Sequence, residues 1–165
     1  MFLLIFLHFT WSLKFEKIPK SSNPPDKFYI PGLVLDPVLS RIIYFGMKNS
    51  QRNIFENTLY TFDLINLTWD TITPESEFIP SPLGSPFLYL RSDRILLSIF
   101  GCNDRGYIGD VYAFNLTSNR WSTLELSQLP GRSYFAATSF VHDDKELIAF
   151  FGGYTKTGVS NELYL

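Results

Sequence analysis

Residues 147–153 read LIAFFGG, an apolar run that stops on a glycine pair. Two related runs stand upstream, IIYFG at 42–46 and LLSIFG at 96–101. Gly46, Gly101 and Gly152 are 55 and 51 residues apart. Short continuous apolar runs bounded by turn residues mark strands buried on both faces. Their recurrence at a near-constant period points to a repeat architecture.

Three further signals keep the same order around these runs. An apolar-Tyr pair follows a short acidic or amide-rich lead in ENTLYTFD at 56–63, GDVYAFN at 109–115 and NELYL at 161–165. Its tyrosines, Tyr60, Tyr112 and Tyr164, are 52 and 52 residues apart. Trp69 and Trp121 come six residues after Asp63 and Asn115, and Trp11 holds the corresponding place upstream. A Pro-rich turn then leads to the next apolar run, in PPDKF at 24–28, PSPLGSPF at 80–87 and PGRSYF at 130–135. Within a unit LYTFDL alternates, with Leu59, Thr61 and Asp63 on one face and Tyr60, Phe62 and Leu64 on the other. No segment shows a helical period with caps. Each unit is therefore expected to hold four strands: after the Pro turn, through the Phe-Gly run, through the Tyr pair and at the Trp. That is one four-stranded antiparallel blade of an all-β protein.

Composition agrees. Of 165 residues, 45% are hydrophobic, 18% charged and 17% aromatic, enough for a core and too little charge for disorder. Sixteen Phe and nine Tyr suit pleated, half-buried surfaces. The net charge of −2 comes from scattered residues, so no basic stripe suggests nucleic acid and no polybasic run an anionic membrane. The one cysteine, Cys102, excludes an intrachain disulfide and points to a reducing compartment, so the chain is expected to be cytoplasmic. Cys102, His8 and His142 match no metal-ligand spacing.

The N-terminal MFLLIFLHF at 1–9 is too short for a membrane-spanning helix, which takes about 20 apolar residues. It is expected to be the outer strand of a partial blade. The alternative is a signal-peptide core, which would make the protein secreted, but no basic residue precedes it and no small-x-small site follows before Lys14.

The order of signals resembles the kelch repeat, in which a glycine pair follows an apolar strand and an apolar-Tyr strand and a Trp come after it; the period fits kelch better than WD40. The resemblance covers residues 28–165. It is closest at Phe151-Gly152-Gly153-Tyr154, at Asp110-Val111-Tyr112 with Trp121, and at Pro130-Gly131-Arg132-Ser133. There are departures. Met47 and Cys102 replace the second glycine, which implies a relaxed or strained turn and irregular blades there. The turn arginine is present only as Arg132, with Lys27 as its substitute in the first unit and Gly84 in its place in the second. The resemblance implies a kelch-type β-propeller, whose rings close with about 4–8 blades. This chain carries about two and a half: an N-terminal apolar segment and linker at 1–24, then repeats at 25–74, 75–125 and 126–165, the last truncated. An open arc is expected rather than a closed ring, with open blade faces. The chain is read as a fragment, or as a piece completed by further blades of a longer parent or an oligomer.

Within that frame Gly46, Gly101, Gly152 and Gly153 are expected to serve backbone geometry. Tyr60, Tyr112 and Tyr164 are expected to be structural, with buried hydroxyl partners, as is Arg132. Trp69 and Trp121 are expected to pack between blades. The loops after the Phe-Gly runs, at 47–57, 102–109 and 154–161, vary while the strands keep their pattern, and loops on a rigid scaffold carry recognition. Lys48, Arg52, Arg105, Tyr107, Tyr154 and Lys156 are the partner-binding candidates, suited to an acidic or polar peptide if the loops share one face. Asn66 and Asn115 head sequons that matter only if the chain is secreted. No nucleophile elbow, zinc helix, phosphate loop or dinucleotide fingerprint occurs, and VHDDKEL reads as a hairpin turn. The expected function is a non-catalytic protein-protein interaction scaffold with no cofactor, no metal, no nucleic acid and no membrane span. The alternatives are a secreted glycan-binding propeller and, from the resemblance alone, a copper-oxidase-like enzyme using Cys102 and tyrosines.

Overall fold

A computed structural model of the chain describes residue 18 and residues 24–29, 32–80, 84, 86–125 and 129–165. The outer strand expected at 1–9 and Trp11 lie outside them. Among the described residues there are strands and turns and no helix.

Three antiparallel sheets form the blades. The first is β2 (Gly32–Asp36), β3 (Arg41–Phe45), β6 (Leu59–Asp63) and β7 (Thr68–Ile72), paired in that order. The second is β8 (Phe87–Leu90), β9 (Ile95–Ile99), β12 (Val111–Asn115) and β13 (Arg120–Leu124). The third is β15 (Ala136–His142), β16 (Lys145–Phe151) and β19 (Leu163–Tyr164). The strands fall where the repeat signals put them, and the inner strands β2, β8 and β15 of successive blades lie side by side. The result is an open arc of propeller blades.

Local chemistry fixes the turns. Asp63 accepts from the amides of Ile65 and Asn66, and Asn115 accepts from those of Thr117 and Ser118. The same side-chain-built turn thus recurs before each Trp strand, with Leu67 and Asn119 left-handed at φ 53° and 52°. In VHDDKEL, His142 pairs with Lys145, and Asp143 and Asp144 have φ 48° and 58°. Two left-handed residues in a two-residue loop match the right-handed twist of the flanking strands.

The core lies between the blades. Tyr112, Phe114 and Trp121 of the second blade pack on Val34, Ile43, Phe45 and Leu59 of the first. Leu97, Ile99, Val111 and Ala113 pack from the opposite face on Phe135 and Phe150 of the third. The middle sheet is buried on both sides, which is why β9 and β12 read as continuous apolar runs. Each fully buried large apolar side chain contributes about 1.5–3 kcal/mol.

Carboxylates join the blades at the end away from the glycines. Asp36, fully buried, accepts from Arg41 in its own blade and from Arg94 Nη2 of the second, each at 3.1 Å. Glu146 of the third blade accepts from the Arg91 amide at 2.7 Å and from the amide and hydroxyl of Ser92. Partial desolvation pushes the Glu146 carboxyl up, but these bonds outweigh it and hold it below the ordinary range.

The departures at the glycines are confined to the turns. Gly153 has φ +92°, and a Cβ there would sit 2.7 Å from the Ser133 carbonyl oxygen and 2.9 Å from Phe135 Cβ, so the third unit requires glycine. Met47 and Cys102 do not take positive φ. Phe100, in the same turn as Cys102, is left-handed at φ 53°, so the second turn carries strain, yet both blades keep regular register, against the expectation of irregular blades.

Candidate functional site

The Phe-Gly run of each blade ends at the blade's glycine end, and a small hairpin is built there before the Tyr strand begins. In the first unit β4 (Met47–Asn49) and β5 (Phe55–Glu56) form it, with β1 (Phe28–Tyr29) added at the edge of β4. In the second it is β10 (Cys102–Asn103) and β11 (Gly106–Tyr107), with Gly84 bridged to Cys102. In the third it is β17 (Tyr154–Thr155) and β18 (Gly158–Val159), with β14 (Arg132–Ser133) alongside. The strand leading into each blade thus ties its hairpin down.

The hairpins are joined into a row. Asn57 Nδ2 donates to the Pro80 carbonyl at 3.3 Å, linking the first hairpin to the segment that reaches the second. The Gly101 amide donates to the Arg132 carbonyl at 2.8 Å, linking the second to the third. Gly131 lies so close to Ile108 and Gly109 that a Cβ would sit 2.7 Å from the Ile108 carbonyl carbon. The candidate loops therefore share one end of the arc.

Side chains inside the loops set their shape. Asn49 is fully buried; its Nδ2 donates to Asp26 and Glu56, and its Oδ1 accepts from the amides of Gln51 and Arg52. Asn103 Oδ1 accepts from the Arg105 amide, and Thr155 Oγ1 donates to the Gly158 carbonyl. Sequence reasoning passed over Asn49, because a lone Asn in a polar loop gives no sign of burial.

The candidate side chains divide. Arg52 is 65% exposed, but Asp26 at 3.7 Å and Glu56 at 3.8 Å share its charge. Lys48 lies over the Phe55 ring at 5.0 Å. Arg105 and Lys156 are exposed and make no ion pair among the described residues. Tyr107 is half-buried in β11. Tyr154 is half-exposed and meets Tyr134 edge-on, with ring centroids 6.1 Å apart. Tyr134 is 65% exposed and left-handed at φ 55°, a conformation that costs a bulky residue energy. It was not foreseen, since it sits inside the Pro turn rather than in a loop after a Phe-Gly run.

The repeat residues make the following contacts. Trp121 packs between blades, 4.9 Å from Phe45 of the first and 5.0 Å from Phe114 of its own. Trp69, expected between blades as well, instead meets Tyr44 and Phe62 of its own blade with tilted rings, centroids 5.2 Å and 4.9 Å apart. The tyrosine hydroxyls find carboxylates from their acidic leads: Tyr60 with Glu56 at 3.4 Å, Tyr112 with Asp110 at 2.8 Å, and Tyr164 with Glu162. Asp110 and Glu162 are exposed, so these partners stand at the blade end rather than in the core. Desolvation and the Asp110 carboxylate push the Tyr112 phenol up to about 12. Arg132 is fully buried, donates to the Gly152 carbonyl at 3.1 Å, and stacks on Phe150 and Tyr164. In the first unit the matching place is held by Phe28, paired with Asn49 as Arg132 is with Thr155, so Lys27 is not its substitute. Asn66 is exposed in its turn, whereas Asn115 is half-buried with Oδ1 engaged.

Among the described residues, no group of three or more His, Cys, Asp or Glu side chains converges on a point that could hold a metal, and no helix is long and apolar enough to cross a membrane. Blades, inter-blade aromatics and a family model described as Attractin/LZTR1 beta-propeller, matching residues 4–165, agree: the chain belongs to that β-propeller family.

Proposed function

We propose that this chain is a non-catalytic interaction scaffold that binds a protein partner through the hairpin row. The supporting observation is that three hairpins of different composition stand side by side on a frame that barely changes from blade to blade. Arg105 and Lys156 offer cations unshared with neighbouring acids, and Tyr134 with Tyr154 offers a rigid aromatic pair; Arg and Tyr are enriched where binding energy concentrates. An extended peptide carrying a carboxylate near an aliphatic or proline side chain fits this chemistry. Lys48 and Arg52 serve as rim residues on this reading, because their charges already have company. The single Cys102 supports a reducing, cytoplasmic setting.

Affinity capture from the source tissue, with the chain and an Arg105→Glu, Tyr154→Ala, Lys156→Glu variant as baits, tests the proposal. All three side chains are exposed, so the variant keeps its blades, which far-UV circular dichroism checks. Loss of the captured partner in the variant supports the hairpin row. Equal capture by both baits places recognition elsewhere.

A further inference from the structure

Among the described residues, four bulky side chains stand on left-handed backbone: Leu67, Arg94, Phe100 and Tyr134, at φ 53°, 53°, 53° and 55°. Such a conformation is costly and persists only where the surroundings impose it. Leu67 closes the turn that Asp63 builds. Arg94 is held by Asp36 at 3.1 Å, and Phe100 is fully buried against Phe135 and Phe150. Tyr134 differs. It is 65% exposed, and its ring meets that of Tyr154, itself 50% exposed. A second cost stands beside it, since the buried Ser133 hydroxyl has no hydrogen-bond partner among the described residues. Glycine would take the Tyr134 angle freely. Local costs that packing does not offset cluster at functional positions.

The pair is set in from the end of the third blade. Tyr134 follows β14, Tyr154 opens β17, and β18 lies beyond them in the same small sheet. Gly131 shows where a following blade presses on a hairpin: it meets Ile108 and Gly109, after β11. The corresponding stretch of the third unit comes after β18, not at Tyr154. On the other side, the Gly101 amide bonds the Arg132 carbonyl at 2.8 Å and brings the second hairpin alongside. That hairpin carries Arg105, and Lys156 follows Tyr154 by two residues; both cations are exposed and make no ion pair among the described residues. The edge-on rings, with centroids 6.1 Å apart, thus offer a rigid apolar surface beside two hairpins that each carry a positive charge. A proline suits the rings, because a Pro-containing segment is already extended and loses little freedom on docking. Carboxylates flanking it match the cations.

We propose that Tyr134, fixed in this conformation against Tyr154, is the residue by which the hairpin row selects a proline within an extended acidic peptide of its protein partner, a role that rests on the hairpin-row reading of the site. Melting curves test the strain without any partner. Tyr134→Gly and Tyr134→Ala both delete the ring, and glycine ordinarily lowers stability relative to alanine. Here Tyr134→Gly melts at the higher temperature, because it relieves the left-handed angle; a Tyr134→Gly variant that melts no higher than Tyr134→Ala overturns the proposal. Fluorescence anisotropy of a labelled EPPEP peptide and its EAAEA counterpart tests the selection. Wild type prefers the proline peptide by roughly threefold to tenfold, the range that an aromatic contact supplies, and Tyr134→Gly loses that preference. Arg105→Glu with Lys156→Glu weakens both peptides alike. Neither peptide binding wild type, no preference in wild type, or a preference that survives in Tyr134→Gly overturns the proposal. An absent preference together with loss of partner capture by the triple variant removes the role of Tyr134 and leaves the hairpin row standing; equal capture by both baits removes the two together.

Discussion

Phe45 and Trp121 lie on different blades with ring centroids 4.9 Å apart, 1% and 5% exposed. If this contact holds the first two blades together, the two residues must be energetically coupled. Truncation of either to alanine would remove about 3–5 kcal/mol, a large part of the roughly 5–15 kcal/mol that keeps a domain folded. Leucine is the better probe, since it keeps apolar volume and removes the ring. The cycle is therefore Phe45→Leu, Trp121→Leu and the double variant, with stability from urea denaturation followed by circular dichroism. Aromatic pairs are worth about 0.5–1.5 kcal/mol beyond burial, and that is the coupling expected. Phe45 and Trp69 provide the control, because they face opposite sides of the first blade and should add within about 0.3–0.5 kcal/mol. A coupling at Phe45 and Trp121 no larger than in the control would refute the blade-to-blade packing described above.

Other outcomes follow from single contacts. Glu146→Gln weakens the cap on Arg91 and Ser92 and should cost about 1–2 kcal/mol at neutral pH. Because the folded-state carboxyl is depressed, its contribution is present above the ordinary value of 4.5 and lost as pH falls through the folded value. The gap between wild type and variant should close in acid melts, and an undiminished gap would contradict the bonding. Gly153→Ala forces a Cβ against the Ser133 carbonyl at φ +92° and should destabilise by more than about 1–3 kcal/mol. Gly106→Ala, at φ +117° with no atom within 4 Å, carries only the backbone strain, so equal melting losses would argue against the close approach at Gly153. In an ultraviolet titration Tyr112 should ionise near 12, and Asp110→Asn should bring it down; an unchanged titration would exclude the hydrogen bond.

The strands were legible because inter-blade packing leaves a periodic imprint. The Phe-Gly run, the Tyr pair and the Trp each occupy a fixed place between two sheets, so the chain repeats them. The turn before each Trp was legible in part, since Asp63 and Asn115 were seen as markers of spacing but their role as turn acceptors was not. The partners of the tyrosine hydroxyls were expected to be buried, whereas the acidic lead supplies them at the blade end. Met47 and Cys102 implied relaxed or strained turns and irregular blades; strain stands in the second turn, on Phe100 at φ 53°, but it stays outside the ladders, whose register is regular. Burial of Asn49 and the Tyr134–Tyr154 pair left no sequence signal, as both depend on a hairpin meeting the strand that leads into its blade. The candidate site was therefore visible as three variable loops, but its side-by-side arrangement needed the contacts at Asn57, Gly101 and Gly131.

The central claim is that the middle blade is held between two others on a propeller arc. Native-state hydrogen exchange tests it most directly. The amides of β9 and β12, sandwiched on both faces, should exchange most slowly and only on global unfolding, while β15 and β19 exchange faster through local opening. Equal protection across the three sheets, or faster exchange in β9 and β12 than in β15, would contradict the account.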